Sequence, residues 1–141
     1  MQADHTKIYR YYTKKNKLKG KTMSVITSEQ YQEGLNTISL SEPQKKMLKA
    51  HYNVVNRSIT YTELAKAAGY DSYETANSQY GRLGRTLGES VGFKFVEALP
   101  DRPGELFYSS SIGQGNHYTN GDFQLVMHHE LAKAIEALDL F

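Results

Sequence analysis

From Leu40 onward, apolar residues recur at a spacing of three or four up to Leu87. They recur at a spacing of two in short runs after it, and at helical spacing again from Leu131. Periods of about 3.6 and 2 mark helices and strands that bury one face. Three helix starts carry an oxygen-bearing cap with Glu or Gln three residues later: Ser41-Glu42-Pro43-Gln44, Thr60-Tyr61-Thr62-Glu63 and Asp71-Ser72-Tyr73-Glu74. In that arrangement the cap oxygen takes a free N–H of the first turn, and the later side chain takes the N–H of the cap. The pattern predicts a helix over 42–52, with Met47, Leu48, His51 and Tyr52 on one side. A short helix over 61–68 has Tyr61, Leu64, Ala65 and Ala68 as its inner stripe and Gly69 as its stop. A longer helix over 72–87 turns Ala76, Tyr80, Leu83 and Leu87 inward. Gly81 and Gly84 weaken it by roughly 1 kcal/mol each, and such glycines are expected to admit another backbone.

After Gly88 the alternation of Phe93, Phe95 and Glu97, the turn cluster Pro100-Asp101-Arg102-Pro103-Gly104, and the run Glu105–Tyr108 predict a β-hairpin. Ser109–Asp122 is too polar and too rich in glycine for a core element, and Gly113-Gln114-Gly115 within it reads as a mobile connection. Phe123, Leu125 and Met127 predict a third strand, and Leu131, Ala134, Ile135 and Leu138 a last helix. Upstream, Ser28–Tyr31 can start a short helix that Gly34 interrupts. The expected fold is α+β: a winged helix-turn-helix of three helices, a small antiparallel sheet and a C-terminal helix, occupying residues 23–141.

The formal charge of +2 is unevenly distributed. Residues 1–22 hold seven basic residues against Asp4, giving +6, whereas the rest holds ten basic and fourteen acidic residues, giving −4. The first 22 residues read as a flexible basic arm, of which Lys14, Lys15 and Lys17 are the candidates for gripping phosphates. The plainer reading of the arm is a solubilising leader. Cysteine is absent, which removes disulfides, thiolate zinc sites and cysteine nucleophiles together. The N-terminus lacks the apolar core of a secretory signal, and no apolar run reaches the ~20 residues of a membrane span. A cytoplasmic protein without a membrane partner is expected.

A helix-turn-helix needs a short support helix, a tight turn and a second helix that enters the major groove, about 12 Å wide. Residues 60–69 followed by 70–87 meet that need. The outer side of the longer helix offers Glu74, Thr75, Ser78, Arg82 and Arg85, with Asn77 and Gln79 on its flanks, and the Tyr73 ring either covers the core edge or meets a phosphate. Amides pair with adenine edges, guanidinium groups with guanine or phosphate, and hydroxyls with either. Thr75, Ser78 and Gln79 are the base-edge candidates; Arg82 and Arg85 are the phosphate candidates. Arg102 at the hairpin tip, with Lys94, is the candidate wing contact. Glu74 would repel phosphate unless the capping box holds its carboxylate. An ordinary solvated helix face has the same composition, so the pattern alone does not separate the two.

The stretch Asn56-Arg57-Ser58-Ile59-Thr60-Tyr61-Thr62-Glu63-Leu64-Ala65, ending in Ala68-Gly69, resembles the helix-turn-helix opening of alkyltransferase-like DNA-repair proteins. The alkyl-accepting cysteine of that family has no counterpart here, so alkyl transfer is excluded. A longer resemblance rests on Ser41–Leu48, Tyr61–Ala65, Ala76-Asn77-Ser78-Gln79-Tyr80-Gly81-Arg82-Leu83-Gly84 and Leu131–Leu138. These segments are similar to the domain placed ahead of HNH nuclease modules in bacterial restriction enzymes. The resemblance implies a module that reads double-stranded DNA in a restriction-modification setting, with sensitivity to base modification as its refinement. No HNH motif follows in this chain, so the catalytic half is missing or is another polypeptide.

Other constellations carry no chemistry. His128 and His129 are adjacent and point about 100° apart, unlike two zinc-binding histidines four apart on a helix. Gly113-Gln114-Gly115 is not followed by Gly-Lys-Ser/Thr, as a phosphate loop requires. Ser109-Ser110-Ser111 lacks the spacing of a nucleophile elbow. The sequence therefore predicts no catalytic residue, metal site or cofactor. The rival to DNA binding is a protein-interaction module that inhibits a nuclease or another defence protein. The −4 body and eleven tyrosines motivate it, since tyrosine is enriched at interfaces. An enzyme using the 109–122 loop is a third reading.

Overall fold

A computed structural model of the chain describes residues 25–97, 104–117 and 123–141. The basic arm with Lys14, Lys15 and Lys17, and Arg102 in the first hairpin turn, lie outside the described residues. The fold is α+β, with a small antiparallel sheet. Among the described residues the α-helices are α1 (Ser28–Thr37), α2 (Glu42–Asn53), α3 (Tyr61–Ala68), α4 (Tyr73–Val91) and α5 (His129–Ala137).

Local chemistry explains where these helices start. Thr27, Ser41 and Thr60 each form a reciprocal capping box, with Gln30, Gln44 and Glu63 respectively. The box expected at Asp71–Glu74 does not form. The cap is one residue later, where Ser72 Oγ accepts the Thr75 N–H at 3.3 Å, and the Glu74 carboxylate is left out of it. Helix α3 matches its expected bounds and ends on Gly69 at φ +84°. Helix α4 runs past Leu87 to Val91 and stops at Gly92, φ +74°. Two expected stops fail because each glycine serves packing instead. A Cβ on Gly34, inside α1, would lie 2.6 Å from Val91 Cγ1; one on Gly88 would lie 2.4 Å from the Phe95 ring.

Strands β1 (Ser58–Ile59), β4 (Gly113–His117) and β5 (Phe123–Met127) form a sheet in the order β1-β5-β4. The expected hairpin is present as β2 (Val96–Glu97) on β3 (Leu106–Phe107), with Val96 opposite Phe107. Its strands are shorter than the alternation of Phe93 and Phe95 suggests, because those two rings pack edge to face at 5.5 Å ahead of the strand. The larger hairpin is β4–β5, so the reading of Gly113-Gln114-Gly115 as a mobile connection is corrected, as is that of 109–122 as too polar for the core in its described part. Ser109, Ser110 and Ser111 are buried in a 3-10 turn, and Ile112 is fully buried. Burial is tolerated because the hydroxyls find carbonyls: Ser111 Oγ donates to Gly84 O at 2.6 Å, and Ser110 Oγ donates to Phe107 O. Strand β4 accommodates glycine because a Cβ at Gly113 would lie 2.4 Å from Val126 O.

The core joins Met47 and Leu48 of α2, Leu64 of α3, Tyr80, Leu83 and Leu87 of α4, Leu125 of β5, and Leu131 and Ile135 of α5. At its centre His51, fully buried, ties three elements together. Its Nε2 lies 3.0 Å from Arg57 O and 2.9 Å from Leu125 O, and its Nδ1 lies 2.8 Å from Tyr80 Oη. Carbonyls only accept, so Nε2 carries the proton and Nδ1 accepts from the tyrosine. Removing the Ser72 cap should cost about 1 kcal/mol; Ser72→Ala is expected to lower the urea midpoint correspondingly without changing the denaturant slope.

Candidate nucleic-acid interface

The short α3, the Gly69 turn and the Ser72 cap set α4 with its apolar side inward. Ala76 and Tyr80 are fully buried, and Leu83 and Leu87 nearly or fully so. Tyr80 is thus a core residue. The opposite side is open: Tyr73, Glu74, Thr75, Asn77, Ser78, Arg82 and Arg85 are exposed, whereas Gln79 is half-buried.

This open side forms part of a groove of about 940 Å³. Asn77, Ser78, Gly81, Arg82 and Arg85 of α4 line it together with Glu105–Ser109 and the half-buried rings of Tyr61 and Phe123. Tyr73, 55% exposed, belongs to a neighbouring groove of about 750 Å³ that also includes Tyr61 and Phe123. Thr75 and Gln79 line neither groove. The Tyr61 and Phe123 rings lie almost parallel, at 5° and 5.8 Å between centroids, and Phe107 meets Phe123 edge-on at 6.0 Å. The periodicity of α3 puts Tyr61 on the core side, and no local signal brings Phe107 or Phe123 to the site, since their meeting depends on contacts distant along the chain.

The charge of the groove is mixed. Arg82 and Arg85 share its lining with the carboxylates of Glu74 and Glu105. Arg85 Nε donates to Glu89 Oε2 at 3.2 Å, and its guanidinium lies 5.1 Å from the Tyr108 ring centroid. The ion pair with Glu89 raises the Arg85 pKa further. Gly81 and Gly84, alike in sequence, differ in role. A Cβ at Gly84 would lie 2.3 Å from Tyr108 O, whereas one at Gly81 would meet nothing within 4 Å. Gly84 is a backbone contact; Gly81 leaves the groove open.

The histidine pair has structural contacts. His128 Nε2 donates to Ser110 O at 2.7 Å, His129 is exposed, and Glu130 Oε1 accepts the Ser28 N–H at 3.0 Å, helping to cap α1. Among the described residues no group of three or more His, Cys, Asp or Glu is placed to hold a metal ion. None of their helices is long and apolar enough to cross a membrane. No protein-family model, no curated protein and no solved structure matches the chain.

Proposed function

We propose that the chain is a non-catalytic DNA-binding module of winged helix-turn-helix form that contacts duplex DNA through α4. The observation that carries this reading is the exposed polar run Asn77, Ser78, Arg82 and Arg85 on a helix whose inner side is anchored in the core. The order α2, β1, α3, α4, then the β4–β5 hairpin sharing a sheet with β1, supports the winged form. In this reading the β4–β5 strand pair is a second candidate wing, beside the one that the sequence places at Arg102. Asn77 and Ser78 present base-edge chemistry, Arg82 and Arg85 phosphate chemistry. The basic arm adds phosphate contacts, and sensitivity to modified bases is the refinement implied by the resemblance.

Titration of a labelled duplex at two salt concentrations tests the proposal. Binding should weaken steeply with salt, and Arg82→Ala should reduce the salt slope by about 1. Absence of binding at low salt would defeat it. Glu74→Gln should tighten binding several-fold, because it removes an uncommitted negative charge from the contact face. The carboxylates in the groove favour a second reading, a surface for a nuclease or other protein partner. That reading predicts a tight protein complex and indifference to DNA.

A further inference from the structure

We propose that the recess where α3, α4 and β5 begin receives the lysine side chain of a partner peptide. With a volume of about 750 Å³, it brings the rings of Tyr61, Tyr73 and Phe123 together with the Glu63 carboxylate. Asn77, Ser78, Arg82 and Arg85 do not line it, so such a site is separate from the DNA contacts proposed for α4 and does not depend on them.

The chemistry of the recess suits a cation. The face of an aromatic ring carries partial negative charge and attracts an ammonium within about 6 Å of its centroid. Tyr61 and Phe123 are half-buried and nearly parallel, which fixes their orientation. Tyr73, the first residue of α4, leaves 55% of its surface exposed and so covers little of the core. The Glu63 carboxylate is held in place: its Oε1 accepts the Thr60 N–H at 2.9 Å and the Thr60 hydroxyl at 3.2 Å. A carboxylate has further lone pairs for a cationic donor.

The surroundings favour a peptide over a free small cation. By way of Glu63 and Gln124 the recess continues into a groove of about 610 Å³ lined by Val54, Val55 and Val126. Val55 is 78% exposed there, beside a turn in which Asn56 and Arg57 both have positive φ. A free amine would leave this aliphatic shelf uncovered, whereas a lysine with aliphatic neighbours covers it. Among the described residues that line the recess and the shelf, Glu63 is the one charged side chain. Its sign matches a lysine and opposes a phosphate.

The test titrates the isotopically labelled protein with the blocked peptide Val-Ala-Lys-Ala-Val and with its counterpart carrying norleucine for lysine. The lysine peptide should bind about tenfold more tightly, the size of a partly desolvated cation–π contact, with amide shifts centred on Thr62, Glu63, Tyr73 and Gln124. Tyr73→Leu, at an exposed position, should erase that preference. Glu63→Gln, which keeps the capping box, should reduce it several-fold, while circular dichroism confirms the fold of both variants. Equal affinity for the two peptides, a preference left whole by both substitutions, or no binding of either peptide overturns the lysine site and leaves DNA binding through α4 untouched.

Discussion

Gly84→Ala should destabilise the protein by about 3 kcal/mol, at the high end of overpacking effects, whereas Gly81→Ala one turn earlier should stabilise it by up to about 1 kcal/mol. Both changes place a methyl group on α4 and both raise helix propensity equally. The difference lies in what the methyl meets. At Gly84 it would lie 2.3 Å from Tyr108 O and 2.9 Å from Ser109 Cα, atoms of a backbone segment that cannot rotate away. That segment is further pinned by Ser111 Oγ donating to Gly84 O and by Tyr31 Oη donating to Ser111 O at 2.7 Å. At Gly81 the methyl meets open space. Urea midpoints at constant slope measure both effects; shifts of the same sign would contradict the close approach of α4 to the 3-10 turn.

The second large effect is a loss of stability in mild acid that depends on His51. Burial lowers its pKa from 6.5 to about 4, against the opposing pull of the two carbonyls that accept from Nε2. The folded state thus binds this proton less readily than the unfolded chain. The stabilisation is complete above the unfolded value of 6.5 and is lost as pH falls from there through about 4. The shift corresponds to about 3 kcal/mol across that window. Unfolding free energy measured between pH 7 and 4.5 should fall more steeply for the native chain than for His51→Gln, which keeps every other titrating group. Parallel profiles would show that His51 is not held neutral. Tyr80, whose burial raises its own pKa well above 10, remains the donor to Nδ1 throughout this range.

The sequence revealed elements whose boundaries are set by neighbouring residues. Helix α3 could be read in full because Thr60, Glu63, the Leu64–Ala65 stripe and Gly69 all lie within ten residues of one another. The end of α4 could not, because Gly88 resembles a stop until the Phe95 ring is known to occupy the space of its missing side chain. Strand β1 is two residues long and exists only through pairing with β5, more than sixty residues away. The polar triplet Ser109–Ser111 suggested a surface loop because its hydrogen-bond partners, Phe107 O and Gly84 O among them, are supplied by the fold.

The candidate site divides in the same way. Asn77, Ser78, Arg82 and Arg85 were legible as the polar side of a periodic helix, and they do line one groove. The facing side of that groove, Glu105 to Tyr108 with Phe123, was not legible, because it is assembled by hairpins whose pairing the periodicity of α4 does not encode.

Whether the exposed side of α4 touches nucleic acid is most directly tested by titrating the isotopically labelled protein with a short DNA duplex and following backbone amide resonances. The account predicts that shifts concentrate at Asn77, Ser78, Gly81 and Arg82, and spread to the β4–β5 hairpin. Shifts confined to α1 and α5, with α4 silent while DNA is bound, would contradict it.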